Sequence, residues 1–347
     1  MQQVDVAVVG AGVIGLAVAL ELRSRGLSVA VADKNDPVRE ASWAAGGMLA
    51  VDDPENPAPL RPLSAWSRDL YPEFLARIEQ HSNLLVPIRT HRALQGAHEG
   101  GSSPEALNAL KEIGLSPQGY AWALQDEGSL DPRDLGAALH AACTHTDVSI
   151  RSHCTVDTLA REGAGWRLHT VGGGGDIFAG RVVLCTGSWA GPRNLPVFPR
   201  KGQMMAVEMG VPLDTVVRTP EIYLIPRGDG RVVIGATIED AGYDKTVHNA
   251  DIAALQARAV KLFPPAAQAP IVETWAGLRP ATHDGLPLIG AVEEGLYAAT
   301  GHYRNGIQLA AATARAIGLQ LTGESLPIDM QAYAVNRTFT PVFAQPS

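Results

Sequence analysis

The chain opens on a short apolar run at positions 4–9, broken only by Asp5. A run this short and this rich in valine is typical of a buried strand. A glycine turn follows, and apolar residues then continue with helical character to about Arg25. A second apolar run at 27–32 ends on Asp33. This order predicts a strand–helix–strand unit of the kind that builds parallel sheets.

Further helices are predicted from apolar residues that recur every three or four positions. They cover residues 69–81, 104–113, 249–262 and 307–321. Another helix is expected to begin at Pro132, because Asp131 suits the N-cap and proline suits the first helical position. The proline-rich stretch 52–62 is expected to be a surface loop.

Short apolar or alternating segments predict the remaining strands. They lie at 88–94, 121–124, 148–150, 155–162, 166–171, 181–187, 204–208, 222–225, 232–236 and 295–300. Glycine turns around the three segments between 148 and 171 favour antiparallel pairing there. From about 195 to 273 strands dominate, with one helix among them, so a second domain with its own antiparallel sheet is expected.

The turn after the first strand has the spacing G-x-G-x-x-G, which is typical of dinucleotide-binding units. Gly10 permits the tight turn, Gly12 leaves room for a pyrophosphate, and Gly15 lets the helix lie close to the strand. The helix N-terminus presents unpaired N–H groups and partial positive charge to the phosphates. Asp33 can accept hydrogen bonds from ribose hydroxyls. The motif alone leaves NAD and FAD open.

Composition narrows the class of protein further. The chain has 347 residues, 46% of them hydrophobic, which is enough for two domains. With 28 basic and 36 acidic residues the net charge is −8, so neither nucleic acid nor an anionic membrane is expected as a partner. Cys143, Cys154 and Cys185 are too scattered for a disulfide framework or a metal site, and they fit a cytoplasmic protein.

No targeting or membrane segment is expected either. Only three residues precede the first strand, which leaves no room for a signal peptide. No uninterrupted apolar run approaches the roughly 18 residues that a membrane span needs.

Four motifs in chain order carry a resemblance to a known family. They are the glycine turn with Asp33, the segment Thr186-Gly187-Ser188-Trp189-Ala190-Gly191, the segment Gly277-Leu278-Arg279-Pro280, and the segment Gly301-His302-Tyr303-Arg304-Asn305-Gly306-Ile307. Over nearly its whole length, the chain resembles the D-amino-acid oxidase family of flavoenzymes. The last motif and residues 275–280 are most similar to its glycine oxidase branch, which is linked to thiamine biosynthesis.

The resemblance implies a mixed α/β fold, in which a Rossmann-like FAD-binding domain is interleaved with an antiparallel-sheet substrate domain. The FAD-binding domain would comprise residues 1–85, 130–195 and 275–337. The substrate domain would comprise 86–129 and 196–274, followed by a tail at 338–347. Relatives that attach the flavin covalently use a cysteine in the C-terminal part. Because no cysteine follows Cys185, FAD is expected to be held non-covalently.

The resemblance also assigns roles to single residues. Arg279 matches the arginine that pairs with the substrate carboxylate, and Tyr223 matches the tyrosine over the substrate pocket. The other residues expected to line that pocket are Met48, Ile238, His302 and Arg304. Residues expected to bind FAD are Gly10, Gly12, Val13, Ile14, Gly15, Asp33, Lys34, Ser42, Ala44, Ala45, Gly46, Gly47, Met48, Val156, Thr186, Gly187, Trp189, Arg279, Gly301, His302, Tyr303, Arg304, Asn305, Gly306 and Ile307.

The implied activity is oxidative deamination of glycine, small amines or small D-amino acids. A hydride would move from Cα to flavin N5, giving an imine, then glyoxylate or a keto acid with ammonia or an amine, and hydrogen peroxide from molecular oxygen. The alternatives are a flavin-dependent D-amino-acid or sarcosine dehydrogenase with another electron acceptor, an NAD-dependent dehydrogenase, and a non-catalytic flavin-binding subunit. Substrate preference, pathway and homo-oligomeric state stay open.

Overall fold

A computed structural model describes residues 2–189 and 191–342. The first eight strands are β1 (Gln2–Val9), β2 (Val29–Ala32), β3 (Ala93–Ala97), β4 (Ala121–Gln125), β5 (Ser149–Arg151), β6 (Cys154–Glu162), β7 (Gly165–Gly172) and β8 (Ile177–Leu184). The others are β9 (Phe198–Glu208), β10 (Val216–Arg218), β11 (Tyr223–Pro226), β12 (Arg231–Gly235), β13 (Ile271–Ala281), β14 (Leu288–Glu293) and β15 (Leu296–Thr300).

The α-helices are α1 (Val13–Ser24), α2 (Ala41–Ala44), α3 (Arg61–Ser82), α4 (Pro104–Ile113), α5 (Pro132–His145), α6 (Asn249–Leu262) and α7 (Ala310–Thr322). Short 3₁₀ turns lie at Ala58–Leu60, Pro264–Ala267 and Gln331–Tyr333. Among the described residues no helix is both long and apolar enough to cross a bilayer.

The first sheet has the strand order β14-β15-β8-β1-β2-β5, and the β6–β7 hairpin joins it at β8. β1 pairs in parallel with β2 and β8, which confirms the predicted strand–helix–strand unit. The predicted antiparallel pairing is confirmed for β6 with β7 and wrong for β5, which pairs in parallel with β2. The long helical crossover through α5 brings the chain to β5, and such crossovers produce parallel pairing.

β1 lies in the centre of this sheet and is buried on both faces. Val6 and Val8 pack into the core that α1, α3, α5 and α7 form. Ala7 and Val9 point to the other face, where they meet residues of the β6–β7 hairpin. This burial on two sides explains why residues 6–9 of β1 are continuously apolar rather than alternating.

The second sheet has the strand order β13-β9-β12-β11-β10-β3-β4. Its pairs are antiparallel except β10 with β3, which is parallel. Met205 and Leu224 face a core that α4 and α6 cover, whereas Met204 and Ile225 face the side where Ala44 and Trp275 lie. The sheet therefore turns one face to its own helices and the other to the segment around α2.

Several boundaries differ from the sequence prediction. Helix α3 begins at Arg61, inside the stretch expected to be a loop, because Pro62 occupies its first turn, where proline is tolerated. β3 starts at Ala93, about five residues beyond the predicted start at 88. Helix α7 begins at Ala310 rather than 307, after turns at residues 303–309. The division into two domains stays a prediction, and its boundary at 275 falls inside β13.

Candidate functional site

A cavity of about 520 Å³ lies against both sheets. Its first part is lined by the carboxyl ends of the parallel strands β1, β2, β8 and β15, where ligands bind in open α/β sheets. Its second part is lined by residues on β9 to β13 of the second sheet. The volume falls within the roughly 300–1,000 Å³ that is usual for small-molecule sites.

The glycine turn forms one end of this cavity. Gly10 has φ +108°, and a Cβ there would come 2.3 Å from the carbonyl oxygen of Cys185. A Cβ on Gly15 would come 1.9 Å from the Gly10 oxygen, so both glycines are required by close backbone packing. Helix α1 has no side-chain cap from Gly12 and no acidic residue in its first turn. Its positive end therefore faces the cavity without a carboxylate of the helix to neutralise it.

Asp33 follows β2 and is joined to the glycine turn. Its Oδ2 accepts a hydrogen bond from the Ala11 amide at 2.6 Å, and its Oδ1 accepts one from the Asn35 amide at 2.8 Å. Burial raises the pKa of Asp33, although these two amide donors act in the opposite direction. The next residue, Lys34, places Nζ 2.8 Å from the centroid of the Trp189 ring.

The small residues around Gly46 and Gly47 line the middle of the cavity. Gly47 has φ +85°, and a Cβ there would come 2.1 Å from the oxygen of Leu130. Gly47 therefore has to lack a side chain because the start of helix α5 packs directly against it. The buried Arg227, which sequence reasoning missed, donates from Nη1 to the oxygens of Gly46 (2.9 Å) and Leu130 (3.1 Å). It fixes this segment against the second sheet.

Arg279 lies on β13 and reaches into the cavity from the second sheet. Its Nη1 donates to the carbonyl oxygens of Lys201 and Thr237, both at 3.1 Å. The guanidinium lies over Gly202, where a Cβ would come 2.1 Å from Nη2. Within the described part of the chain, no carboxylate forms an ion pair with Arg279. Its protein partners are neutral, so its charge is available to an anionic ligand.

Tyr223 on β11 lies near this guanidinium. Burial raises the pKa of the Tyr223 phenol, and the charge of Arg279 acts to lower it. The phenol oxygen lies 2.8 Å from the sulfur of Met204. Gly235, directly opposite on β12, is constrained by this ring, because a Cβ there would come 2.5 Å from the phenol oxygen.

Arg304 and His302 line the cavity, but both have protein partners. Arg304 forms ion pairs with Asp53 and Glu55. Burial lowers the pKa of Arg304, but the two carboxylates outweigh this effect and raise it above its usual value. His302 is buried with Nε2 at 3.0 Å from the Thr313 hydroxyl, and burial lowers its pKa to about 3. The histidine is therefore neutral at physiological pH.

Arg218 adds a buried cation to the cavity wall, and sequence reasoning missed it. Its Nη2 lies 3.0 Å from Glu127, and its Nε lies 4.0 Å from Asp53. Burial raises the pKa of Glu127, while Arg218 acts to lower it. No local signal could have identified this cluster, because the partners are far apart in the sequence and charged residues are mostly exposed.

Most of the predicted site residues line this one cavity. Those that do are Gly10, Gly12, Val13, Ile14, Asp33, Lys34, Ser42, Ala44, Ala45, Gly46, Gly47, Met48, Val156, Thr186, Gly187, Trp189, Tyr223, Ile238, Arg279, His302, Tyr303, Arg304, Asn305, Gly306 and Ile307. Gly15 and Gly301 do not; each is enclosed by protein, and a Cβ on Gly301 would come 2.7 Å from the Thr282 side chain. Ile238 lines the cavity but is 53% exposed, so it lies at the rim.

Comparisons with known proteins show which family the sequence matches and which chains are similar to it. The DAO family, described as FAD dependent oxidoreductase, matches residues 5–318. The chain is 34% identical to a glycine oxidase of Pseudomonas putida over 358 residues, which cover 95% of this chain and 98% of that protein. It is 36% identical over 341 residues to the bifunctional protein ThiO/ThiG of Trichormus variabilis, covering 90% of this chain and spanning about half (52%) of that relative.

A solved structure extends the comparison to three dimensions. The crystal structure of glycine oxidase from Geobacillus kaustophilus superimposes with a TM-score of 0.89 at 29% identity, covering 98% of this chain and 100% of that one.

Proposed function

The chain belongs to the DAO family of FAD-dependent oxidoreductases, and on that premise we propose that it oxidatively deaminates glycine and other small amines. When bound, FAD would accept the hydride from the substrate Cα. The protein's own task is to hold the cofactor, clamp the substrate carboxylate and exclude alternative binding modes. The observation that carries the proposal is a guanidinium in the cavity, that of Arg279, without a carboxylate partner among the described residues.

The residues present fit FAD. The glycine turn is a cradle that side chains would fill, and the positive end of α1 opens onto the same space. The Gly12 N–H would bind the pyrophosphate, and the Val13 amide donates instead to the Ser42 hydroxyl at 2.9 Å. Asp33 would stand at the ribose. The remaining residues predicted for FAD would extend the site toward Arg279.

Arg279 would bind the substrate carboxylate. A guanidinium can give two parallel charge-assisted hydrogen bonds to a carboxylate, which fix its orientation as well as its position. The two carbonyls that accept from Nη1 hold the group in place without neutralising its charge. Tyr223 would cover the substrate from β11, which lies three strands away from β13 in the same sheet.

No side chain is assigned as a general base. His302 is neutral, and its Nε2 is occupied by the Thr313 hydroxyl. Arg304 would contribute through its contact with Asp53 and Glu55 rather than as a free cation. Because no side chain is assigned to remove a proton, the substrate amine would bind in its neutral form.

Molecular oxygen as the electron acceptor, a cytoplasmic location and a role in thiamine biosynthesis are parts of the same proposal. The glycine oxidases among the relatives support the oxidase, and the relative named for ThiO and ThiG supports the pathway. The three cysteines are free thiols and buried, as suits a reducing compartment.

A substrate panel tests the proposal. The purified holoenzyme is assayed under air for hydrogen peroxide with glycine, sarcosine, D-alanine and D-proline. The proposal expects peroxide with glycine or another of these small amines. Rapid dye reduction without peroxide would instead point to the dehydrogenase alternative, and a colourless protein that releases no FAD on denaturation would contradict the proposal as a whole.

A further inference from the structure

The connection between β12 and α6 makes contacts that the proposed chemistry does not use. We call residues 236–248 the strap. Its base is bonded to β9, where the backbones of Lys201 and Glu239 exchange two hydrogen bonds of 3.0 Å. The Glu239 carboxylate lies 3.3 Å from the buried Lys201 Nζ and accepts from Gln203 at 2.9 Å. Asp240 adds an ion pair with Arg200 at 3.2 Å. The base is thus firmly attached to the second sheet.

The tip of the strap, which carries Tyr243 and Lys245, leaves that sheet and contacts segments that follow strands of the first sheet. Tyr243 stacks on Trp189 with ring centroids 4.7 Å apart and an interplanar angle of 17°. Its hydroxyl donates to the carbonyl oxygen of Ser188 at 3.1 Å. Lys245 places Nζ 3.2 Å from the Glu40 carboxylate. Tyr243 makes these contacts while remaining 48% exposed.

All three residues that the tip contacts line the cavity at its glycine-turn end. Trp189 and Ser188 follow β8, and Glu40 precedes α2. Trp189 also carries the Lys34 ammonium against its ring, directly after Asp33. The indole is therefore fixed by an aromatic ring from the second sheet and by a cation from the first.

We infer that the strap helps to retain FAD. Its main contact with the cavity wall is that of Tyr243 with Trp189, and the contact of Lys245 with Glu40 is a minor one. The inference rests on the proposed cofactor, since the end of the cavity beside Asp33 would receive the adenosine half. Tyr243 and Lys245 do not line the cavity themselves, so the strap would act by holding Trp189 and Glu40, which do line it, against the adenosine half. Loss of the contacts at the strap tip should therefore raise the rate of FAD release and change the rate of FAD binding less.

The test follows release of FAD from the diluted holoenzyme by the rise in free flavin fluorescence. Tyr243→Ala is expected to release FAD about three- to tenfold faster than wild type, since an aromatic pair contributes on the order of 1 kcal/mol beyond its buried area. Tyr243→Phe keeps the ring and loses only the hydrogen bond to Ser188, so it should stay close to wild type. Lys245→Ala should change the rate less than threefold, because exposed ion pairs are weak.

Lys261→Ala is the matched control, because Lys261 is exposed at the end of α6, beyond the strap. Thermal unfolding of each variant without added FAD checks that the fold is intact. The KM for the amine substrate at saturating FAD should stay unchanged in Tyr243→Ala, since the base of the strap beside Arg279 is not altered. A general structural defect would change the KM for the amine substrate as well as the rate of FAD release.

Equal release rates for wild type, Tyr243→Ala and the control would overturn the inference. So would an equal acceleration in Tyr243→Ala and Lys261→Ala. A wild-type protein that binds FAD but does not oxidise small amines would contradict the proposed function, while the release rates would still decide the role of the strap. A wild-type protein that binds no FAD would overturn both.

Discussion

Replacing Arg279 with alanine removes the one cavity guanidinium that, among the described residues, has only neutral partners. The carboxylate of a bound substrate would then lose its charge-assisted hydrogen bonds. Breaking a buried ion pair costs about 3–5 kcal/mol, and Arg279 is only partly buried, so the lower limit of about 3 kcal/mol is the better estimate. This value corresponds to a rise of about two orders of magnitude in KM for glycine.

The assay separates binding of the substrate from binding of the cofactor. Steady-state kinetics give KM and kcat for Arg279→Ala, and the visible absorption spectrum with the FAD content reports the cofactor. Arg279→Lys keeps the charge but not the planar fork, so its KM should fall between those of wild type and Arg279→Ala. Arg61→Ala is the control, since that arginine is 73% exposed and does not line the cavity.

A KM within threefold of wild type in Arg279→Ala would refute the reasoning, provided that the flavin content is normal. The substrate carboxylate would then be bound elsewhere. A variant that loses its FAD together with its activity would show that the arginine also holds the cofactor, the second role that the resemblance implies for it, and would contradict a role confined to the substrate.

Two further predictions concern stability. Arg218→Met leaves the buried Glu127 without its ion pair and should lower the free energy of unfolding, measured in urea, by about 3–5 kcal/mol. The double variant Arg218→Met/Glu127→Gln should restore part of this loss. Equal stability of the single and double variants would count against the pair. His302 has a folded-state pKa of about 3, below its ordinary value of roughly 6.5, so the unfolded chain binds the extra proton. Stability should therefore fall as pH decreases from about 6.5 toward 3, and His302→Gln should make this loss shallower in pH-dependent urea unfolding; an unchanged slope would contradict the assignment.

The sequence was most informative where the signal is local. Helix α4 is bounded by Ser103, whose side chain caps it, and by Gly114 in the left-handed conformation, so its limits were predicted without error. The same holds for the start of α5, where Asp131 accepts from the Arg133 amide. Such signals depend only on neighbouring residues, and tertiary contacts did not override them.

The error at β3 arose where distant parts of the chain decide the structure. β3 is displaced from its predicted position because its pairing with β4 and β10 sets its limits. Pairing with partners so far along the chain leaves no periodic trace within a window of ten residues.

The site divides in the same way. Most of the residues that the family resemblance assigns to the site do line the cavity, because the glycine turns and strand ends that carry the resemblance have local signatures. The buried Arg218 and Arg227 gave no such sign, since a buried arginine is recognisable only through partners that the fold brings near. The strap was likewise hidden, because Tyr243 lies 54 positions from Trp189.

The most direct test of the central claim is reduction of the bound flavin by glycine in the absence of oxygen, followed by admission of air. The account predicts that glycine bleaches the visible flavin absorbance of the wild-type holoenzyme, and that air restores it with one hydrogen peroxide formed for each flavin. An absorbance that stays unchanged with glycine and with sarcosine, D-alanine and D-proline would contradict the account.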